Sequence, residues 1–260
     1  MKRLNKIYSD IKLLKIQGAT NIAKAGAIAY SLKPTKKTKL KLMSLRKTEP
    51  ALFNTLKFME KESKEKVFEH FEKSQEKINK IIFKIIKKGD LIYTHCHSST
   101  ISKALIFAKK NKKDFEISNT ETRPRFQGRI TAKELSSAGI KIKFYVDSGA
   151  IDAIKSCKFI LLGADAILKD GIINKVGSST IAELAKIYKK PLYIISDSWK
   201  YYEKKIKIEK RDPEEVWKKA PKNVKIINNA FDKINKSNVN KIISELGNLS
   251  YSDFLKKIKK

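Results

Sequence analysis

From residue 90 onward, short apolar runs alternate with segments of helical periodicity. The runs are "DLIYTHC", "FEISNT", "IKIKFYVDS", "FILLGADAIL", "PLYIISDS" and "VKIINN". Runs of this length are typical of buried strands, and strands that alternate with helices form a mostly parallel sheet covered by helices. We therefore predict a Rossmann-like α/β fold over residues 89–260, with a mostly parallel sheet and helices on both of its faces.

Residues 1–88 have a different pattern. Two long segments, "LNKIYSDIKLLKIQGATNIAKAGAIAYSL" and "EPALFNTLKFMEKESKEKVFEHFEKSQEKINKIIFKIIKKG", carry apolar residues three or four positions apart. This spacing places the apolar side chains on one face of a helix. The sequence thus predicts a small all-α N-terminal domain, residues 1–88, ahead of the α/β domain.

The charge of the chain bears on its partners. It has 260 residues and a formal net charge of +31, and six of its 58 basic residues are arginines, which leaves 52 lysines spread through every segment. Because a general lysine bias explains this charge as well as a basic binding face does, nucleic-acid binding is not favoured. No run approaches the roughly 20 apolar residues of a membrane span. We expect a cytoplasmic protein with no membrane partner.

The first segment with reactive side chains is "THCHSST", residues 94–100. Cys96 follows a predicted strand and precedes a predicted helix, whose dipole would lower the pKa of the thiol. Cys96 is thus a candidate base or nucleophile, and a buried structural cysteine is the alternative. On an extended strand His95 and His97 would point away from Cys96, so we predict no metal site here.

The second segment is "LLGADAILKDGIINKVGSST". Asp165 comes at the end of an apolar strand, where loss of hydration raises the pKa of a carboxyl group and fits it to act as a general acid. Asn174 and Lys175 precede a Gly-Ser pair and a helix, an arrangement that can hold a phosphate. A simple helix cap would look the same.

The third segment, "NTETRPRFQGR", contains three of the six arginines, Arg123, Arg125 and Arg129. Arginine binds phosphate and carboxylate groups with two parallel hydrogen bonds, so the segment suits an anionic ligand rich in hydroxyl groups. A loop held by salt bridges at an interface would have the same composition. Both interpretations stay open at this point.

Taken together and in this order, these segments resemble a known superfamily. The matching stretches are "GDLIYTHCHSST", "TETRPRFQGRITAKEL", "VDS", "GADAILKDGIINKVGS", "IEKRDPEEVW" and "NNAFD". They are similar to signature segments of the superfamily that contains ribose-1,5-bisphosphate isomerase, methylthioribose-1-phosphate isomerase and the alpha, beta and delta regulatory subunits of initiation factor 2B. The resemblance implies a helical N-terminal domain, a Rossmann-like C-terminal domain and homodimers or higher homo-oligomers.

The resemblance also implies a function. The isomerases share a catalytic cysteine and aspartate, which match Cys96 and Asp165, whereas the regulatory subunits characteristically lack the pair. The segments "THCHS" and "IEKRDPEEV" look more like the ribose-1,5-bisphosphate enzyme than the methylthioribose one. The expected activity is therefore conversion of a phosphorylated pentose, ribose 1,5-bisphosphate, to ribulose 1,5-bisphosphate without a cofactor. A regulatory subunit and a methylthioribose-1-phosphate isomerase are the alternatives.

By the same matching, further residues are expected to contact the substrate. They are Gln17, Gly18, Ala19, Thr20, Arg46, Ser98, Ser99, Thr100, Asn174, Lys175 and Lys200. Two positions depart from the family pattern. Gln17 replaces the usual arginine of an Arg-Gly-Ala segment, which removes a cation for phosphate, and Lys47 replaces a usual proline.

Overall fold

The computed structural model of the protein describes residues 2–259. Five helices come first: α1 (Lys2–Lys12), α2 (Ala19–Leu32), α3 (Lys36–Leu45), α4 (Pro50–Phe58) and α5 (Lys64–Ile85). Local sequence explains several of their starts. The Thr35 hydroxyl accepts a hydrogen bond from the Thr38 amide and caps α3, and Pro50 occupies the first turn of α4, where its missing N–H is not needed.

The second part of the chain forms the predicted sheet. Its strands are β1 (Asp90–Thr94), β2 (Phe115–Thr120), β3 (Lys141–Tyr145), β4 (Phe159–Leu162), β7 (Leu192–Ile195), β9 (Lys241–Ser244) and β10 (Gly247–Leu249). They lie in the order β10-β9-β7-β4-β1-β2-β3. Every neighbouring pair is parallel except β10 with β9. The prediction of a mostly parallel sheet is confirmed.

Helices cover both faces of this sheet, as predicted. They are α6 (Ser99–Lys110), α7 (Gln127–Ser137), α8 (Ala150–Ser156), α9 (Ser178–Ile187) and α10 (Tyr251–Lys257). On one face, strand residues such as Ile160 pack with Ile181 of α9 and Phe254 of α10. On the other, Leu161 packs with Leu105 of α6 and with the end of α5. The alternation of Ile160 and Leu161 between the two clusters follows from the two-residue period of a strand.

A second, smaller sheet was not predicted. It is antiparallel and contains β5 (Ala166–Ile167), β6 (Gly171–Lys175) and β8 (Phe231–Asn235), in that order. The run "FILLGADAIL" is therefore divided, because β4 ends at Leu162 and the second half joins the small sheet. Asn174 and Lys175, which were not predicted to lie in a strand, form the end of β6.

The predicted strand "VKIINN", residues 224–229, is wrong. This segment makes one isolated bridge, between Lys210 and Asn229, and otherwise belongs to no strand. Two of its three apolar side chains stay exposed, Val224 by 43% and Ile227 by 67%, and Ile226 is only partly buried. Without burial, the alternating pattern alone does not hold a strand in the sheet.

Helix α5 connects the two parts of the fold. Near its start, Val67 and Phe71 pack against alanines of α2 and Ala51 of α4. Near its end, Ile78 and Ile82 belong to the core that covers the large sheet. The predicted domain boundary after residue 88 stays a prediction. None of the described helices is both long and apolar enough to cross a membrane.

Candidate active site

One cavity brings together all the residues that the sequence singled out for catalysis and substrate contact. Its volume is about 410 Å³, within the range of about 300–1,000 Å³ that is usual for small-molecule sites. It lies where β1, β2, β4 and β7 end, the edge at which open α/β sheets bind ligands. The predicted residues that line it are Gln17, Gly18, Ala19, Thr20, Arg46, Cys96, Ser98, Ser99, Thr100, Asp165, Asn174, Lys175 and Lys200.

Cys96 lies in the cavity with an unusual backbone conformation. Strand β1 ends at Thr94, and Cys96 has a φ of 65°, in the left-handed region that non-glycine residues rarely adopt. Two threonines hold it there: the Cys96 amide donates to Thr122 Oγ1 at 3.0 Å, and its carbonyl accepts from Thr131 Oγ1 at 2.8 Å. Such conformations persist only where neighbours fix them, and they often occur at functional sites.

The expected low pKa of the Cys96 thiol is wrong. Burial raises this pKa to about 12, and the charge of Lys175 opposes the rise only in part. The helix lends little help, because α6 begins at Ser99 and its capping residue Ser98 already accepts a hydrogen bond from the Ile101 amide at 3.4 Å. A pKa this high favours the thiol form of Cys96 at neutral pH.

The two histidines beside Cys96 have separate partners. The buried His95 ring bonds Thr120 Oγ1 at 2.9 Å through Nδ1 and the Val176 carbonyl at 3.0 Å through Nε2. His97 Nδ1 lies 3.1 Å from Thr131 Oγ1. Because the strand ends at Thr94, the expected extended geometry of "HCH" is not present. His95 instead connects β1 to the turn after β6.

Asp165 lies at the turn between the two sheets. Its amide donates to the Ile173 carbonyl at 2.9 Å, which fixes the residue at the start of β5. Burial raises the pKa of its carboxyl group, while the charges of Lys200 and Arg46 oppose the rise. This agrees with the direction expected from the sequence. Lys200 is held by a hydrogen bond from its Nζ to the Ala164 carbonyl at 2.6 Å.

Lys175 and Asn174 reach the cavity from the end of β6. Both are buried. Burial lowers the pKa of Lys175, and the negative potential of Cys96 in its ionised form would raise it. Asn174 Nδ2 donates to Ser178 Oγ at 2.9 Å at the start of α9. Lys175 is thus the buried cation that is coupled most directly to the thiol.

Two helix starts face the same cavity. Residues 17–20 lead into α2, with Gly18 at φ 83°, and residues 98–100 begin α6. Free backbone N–H groups at helix N-termini favour anions. Gln17, which stands at the family's arginine position, uses its side-chain amide to bond the Leu14 carbonyl at 2.9 Å. It adds no charge.

Sequence reasoning missed Glu49. This residue lines the cavity and is 1% exposed, and its Oε1 accepts a 2.8 Å hydrogen bond from Arg46 Nη2. Burial raises the pKa of Glu49 to about 8, and the neighbouring Asp165 adds to the rise, against the opposing charge of Arg46. A glutamate before Pro50 at a helix start was a visible signal. Nothing in its spacing showed that it would be buried beside Arg46.

The arginine segment is mostly held by carboxylates and backbone. Arg125 reaches the cavity and pairs with Glu215 at 3.0 Å. Arg211, from the segment "IEKRDPEEVW", pairs with the same Glu215 and with Glu209. Arg123 and Arg129 are not among the residues that line the cavity. Arg125 therefore both lines the cavity and forms a salt bridge, whereas Arg129 pairs with Glu121 outside the cavity lining.

The sequence of the chain matches a known protein family. The model of the Initiation factor 2 subunit family matches residues 14–251. Ribose 1,5-bisphosphate isomerase of Methanocaldococcus jannaschii is 35% identical, covering 95% of this chain and 91% of the relative.

Solved structures agree on the fold. The translation initiation factor eIF-2B of Pyrococcus horikoshii superposes with a TM-score of 0.85 at 26% identity, covering 96% of this chain and 98% of the other. A tetrameric eIF2B-beta2-delta2 complex of C. thermophilum superposes with a TM-score of 0.79 at 16% identity, covering 94% and 91%, so oligomers occur among structures with this fold. The sequence match over residues 14–251 shows that the chain belongs to the Initiation factor 2 subunit family.

Proposed function

We propose that the protein is an aldose–ketose isomerase that converts ribose 1,5-bisphosphate to ribulose 1,5-bisphosphate. The observation that carries the proposal is the meeting of Cys96 and Asp165 in one cavity that also holds buried cations and two helix N-termini. The similarity to a relative of this name over nearly the whole chain supports it. The substrate has two phosphates and several hydroxyl groups, which this lining is able to bind.

Asp165 is the proposed acid for ring opening. The phosphate on C1 blocks simple opening to a free aldehyde, so the ring oxygen must take a proton as its bond to C1 breaks. Burial raises the pKa of the Asp165 carboxyl group, which favours the protonated form that a general acid needs. The electron pair of the broken bond goes to the ring oxygen, which becomes a hydroxyl group.

Cys96 is the proposed base for the second step. Its thiolate takes the proton from C2, the electron pair forms a double bond between C1 and C2, and the C2 hydroxyl then loses its proton as C1 gains one. The raised pKa means that the thiolate is scarce in the free protein, and Lys175 is the cation that stabilises it. A hydride shift from C2 to C1 is the competing route, in which the thiol takes no proton.

Deuterium at C2 of the substrate distinguishes these routes. Transfer through Cys96 exchanges part of the label with solvent during turnover. A hydride shift keeps all of it at C1 of the product. Full retention of deuterium over many turnovers would remove Cys96 from the role of base while leaving the isomerase assignment intact.

The cations of the cavity are proposed to hold the two phosphates. Lys175, Lys200 and Arg46 line the cavity, with the helix starts at residues 17–20 and 98–100 on the same side. Arg46 is already paired with Glu49. A protonated Glu49 would leave Arg46 free to attract a phosphate, whereas an ionised Glu49 would neutralise it.

A regulatory subunit is the second candidate function. The close structural match to an eIF-2B protein and the absence of a cation at Gln17 favour it. A panel of substrates tests both proposals: purified protein is incubated with ribose 1,5-bisphosphate and, separately, with methylthioribose 1-phosphate. Turnover of the first alone supports the proposal. Turnover of the second alone assigns the other isomerase, and no turnover of either favours the regulatory subunit.

We further propose that the protein works as a homodimer or a higher homo-oligomer. Strand β3 is the edge of the large sheet, and large apolar side chains on and after it are exposed: Phe144, Val146 and Ile151. An exposed apolar edge of this kind is typical of an interface. The number of subunits follows from the mass of the protein in solution.

A further inference from the structure

Three potential metal ligands meet outside the cavity of Cys96. His70 comes from α5, Asp197 follows β7, and Glu245 follows the neighbouring strand β9. One nitrogen or oxygen atom from each lies within 4.8 Å of the other two. His70 Nε2 is 3.2 Å from Asp197 Oδ1 and 3.1 Å from Asp197 Oδ2. Such separations are close to those between neighbouring ligands around one ion bound at about 2.0–2.2 Å.

One ligand atom in this cluster lacks a hydrogen bond. Asp197 is only 3% exposed. Its Oδ1 accepts from the Trp199 amide at 2.8 Å, whereas Oδ2 is buried, has no hydrogen-bond donor and lies beside His70. A buried carboxylate oxygen without a donor is costly unless a cation balances it.

Among the described residues, His70 is the one basic side chain that contacts these carboxylates. The chain has 58 lysines and arginines, yet within residues 2–259 no lysine or arginine nitrogen lies within 4.0 Å of the carboxylate of Asp197 or Glu245. Burial raises the pKa of Glu245, and the neighbouring Asp197 adds to the rise. Two adjacent carboxylates thus stand without a lysine or arginine partner in a strongly basic protein.

The surroundings hold the ligands in place. Glu245 Oε2 accepts from Ser74 Oγ at 3.2 Å and from the Ser198 amide at 3.1 Å. The His70 ring stacks on Trp199, with centroids 3.9 Å apart. Groups that orient ligands in this way support metal sites generally. A second cavity, of about 330 Å³, is lined by Asp197 and by Ser74, which donates to Glu245.

We propose that His70, Asp197 and Glu245 bind one divalent transition-metal ion of the Zn²⁺ class. One imidazole and two carboxylates match the nitrogen and oxygen donors that such ions accept, and their two negative charges balance the ion. Water from the second cavity would complete the coordination. The ion would tie α5 to the ends of β7 and β9, which gives it a structural role that does not depend on the proposed isomerase activity.

Metal binding by the full chain tests this proposal. Protein treated with EDTA is dialysed against Zn²⁺, and bound metal and thermal stability are measured for the wild type, His70→Ala, Glu245→Gln and the control His97→Ala. His97 also lies near an acid, with Nδ1 3.7 Å from Glu134, but has no third ligand. We expect one Zn²⁺ per chain in the wild type and in His97→Ala, with a rise in melting temperature. Loss of one ligand should weaken binding by more than the roughly 10- to 100-fold that loss of a group supporting a ligand costs.

Co²⁺ provides an independent reading, because thiolate ligands give an intense charge-transfer absorption that nitrogen and oxygen ligands do not. A Co²⁺ spectrum without that band supports the three residues, and a strong band would assign the metal to a cysteine and overturn the proposal. Absence of bound Zn²⁺ in the wild type, or equal binding by a folded Glu245→Gln variant, would also overturn it. The three residues would then be an ion pair with an adjacent carboxyl group.

Discussion

Replacing Glu49 with glutamine tests the electrostatics of the cavity. In the folded protein the pKa of Glu49 is raised to about 8 from the ordinary 4.5, first by burial and then by Asp165. The native protein therefore keeps a proton that the unfolded chain loses between about pH 4.5 and 8. Since the native state binds more protons over this window, stability falls as pH rises through it.

The size of the effect follows from the pKa difference. The full difference corresponds to an upper limit of about 5 kcal/mol, and the part between pH 5.5 and 8 to about 3 kcal/mol. Glutamine has nearly the same shape, keeps an oxygen for Arg46 and has no charge to lose. Relative to the wild type, the Glu49→Gln variant should thus gain up to about 3 kcal/mol in free energy of unfolding between pH 5.5 and 8.

Urea unfolding at the two pH values measures this difference, with Glu72→Gln as the control because Glu72 is exposed on α5. The control should follow the wild type at both pH values. Parallel pH dependence of the wild type and Glu49→Gln would refute the reasoning. It would mean that Glu49 is ionised in the folded protein and that its pairing with Arg46 outweighs burial.

Three other predictions follow from the cavity and the sheet edge. In steady-state kinetics, Lys175→Ala should raise KM by about 10- to 100-fold, whereas Lys222→Ala, at an exposed position, should leave KM unchanged. Equal effects of the two substitutions would show that Lys175 does not bind the substrate. Alkylation of Cys96 by iodoacetamide, followed by mass spectrometry, should be slow at pH 7 and accelerate toward pH 10, and rapid labelling at pH 7 would contradict the raised pKa. Phe144→Glu should lower the mass found by light scattering, and an unchanged mass would exclude β3 from the interface.

Periodicity predicted β1, β2, β4 and β7, whose residues are largely buried, and also the more exposed edge strand β3. Strands β9 and β10 were not among the predicted runs. Periodicity failed at "VKIINN", where Val224 and Ile227 stay exposed, and at β6, where Asn174 and Lys175 were not predicted to be in a strand but are buried in one. Strand propensity depends on what a segment packs against, and that information is not local.

The candidate site, too, could be predicted only in part from the sequence. Residue type and resemblance located Cys96 and Asp165, and the structure places both on one cavity. The pKa of Cys96 was predicted in the wrong direction, because a nearby helix start is visible in a sequence and the extent of burial is not. Glu49 and the cluster around His70 were missed for a related reason: the burial of Glu49 beside Asp165, and the meeting of His70 with Asp197 and Glu245, depend on distant segments of the chain.

Turnover of ribose 1,5-bisphosphate by the wild type, Cys96→Ser and Asp165→Asn is the decisive test of the proposed isomerase. The product is identified as ribulose 1,5-bisphosphate, and circular dichroism confirms that each variant is folded. The account predicts turnover by the wild type and a loss of about 10²-fold or more in each variant, as expected for removal of a general base or acid. Undiminished turnover in either folded variant, or no turnover by the wild type, would contradict it.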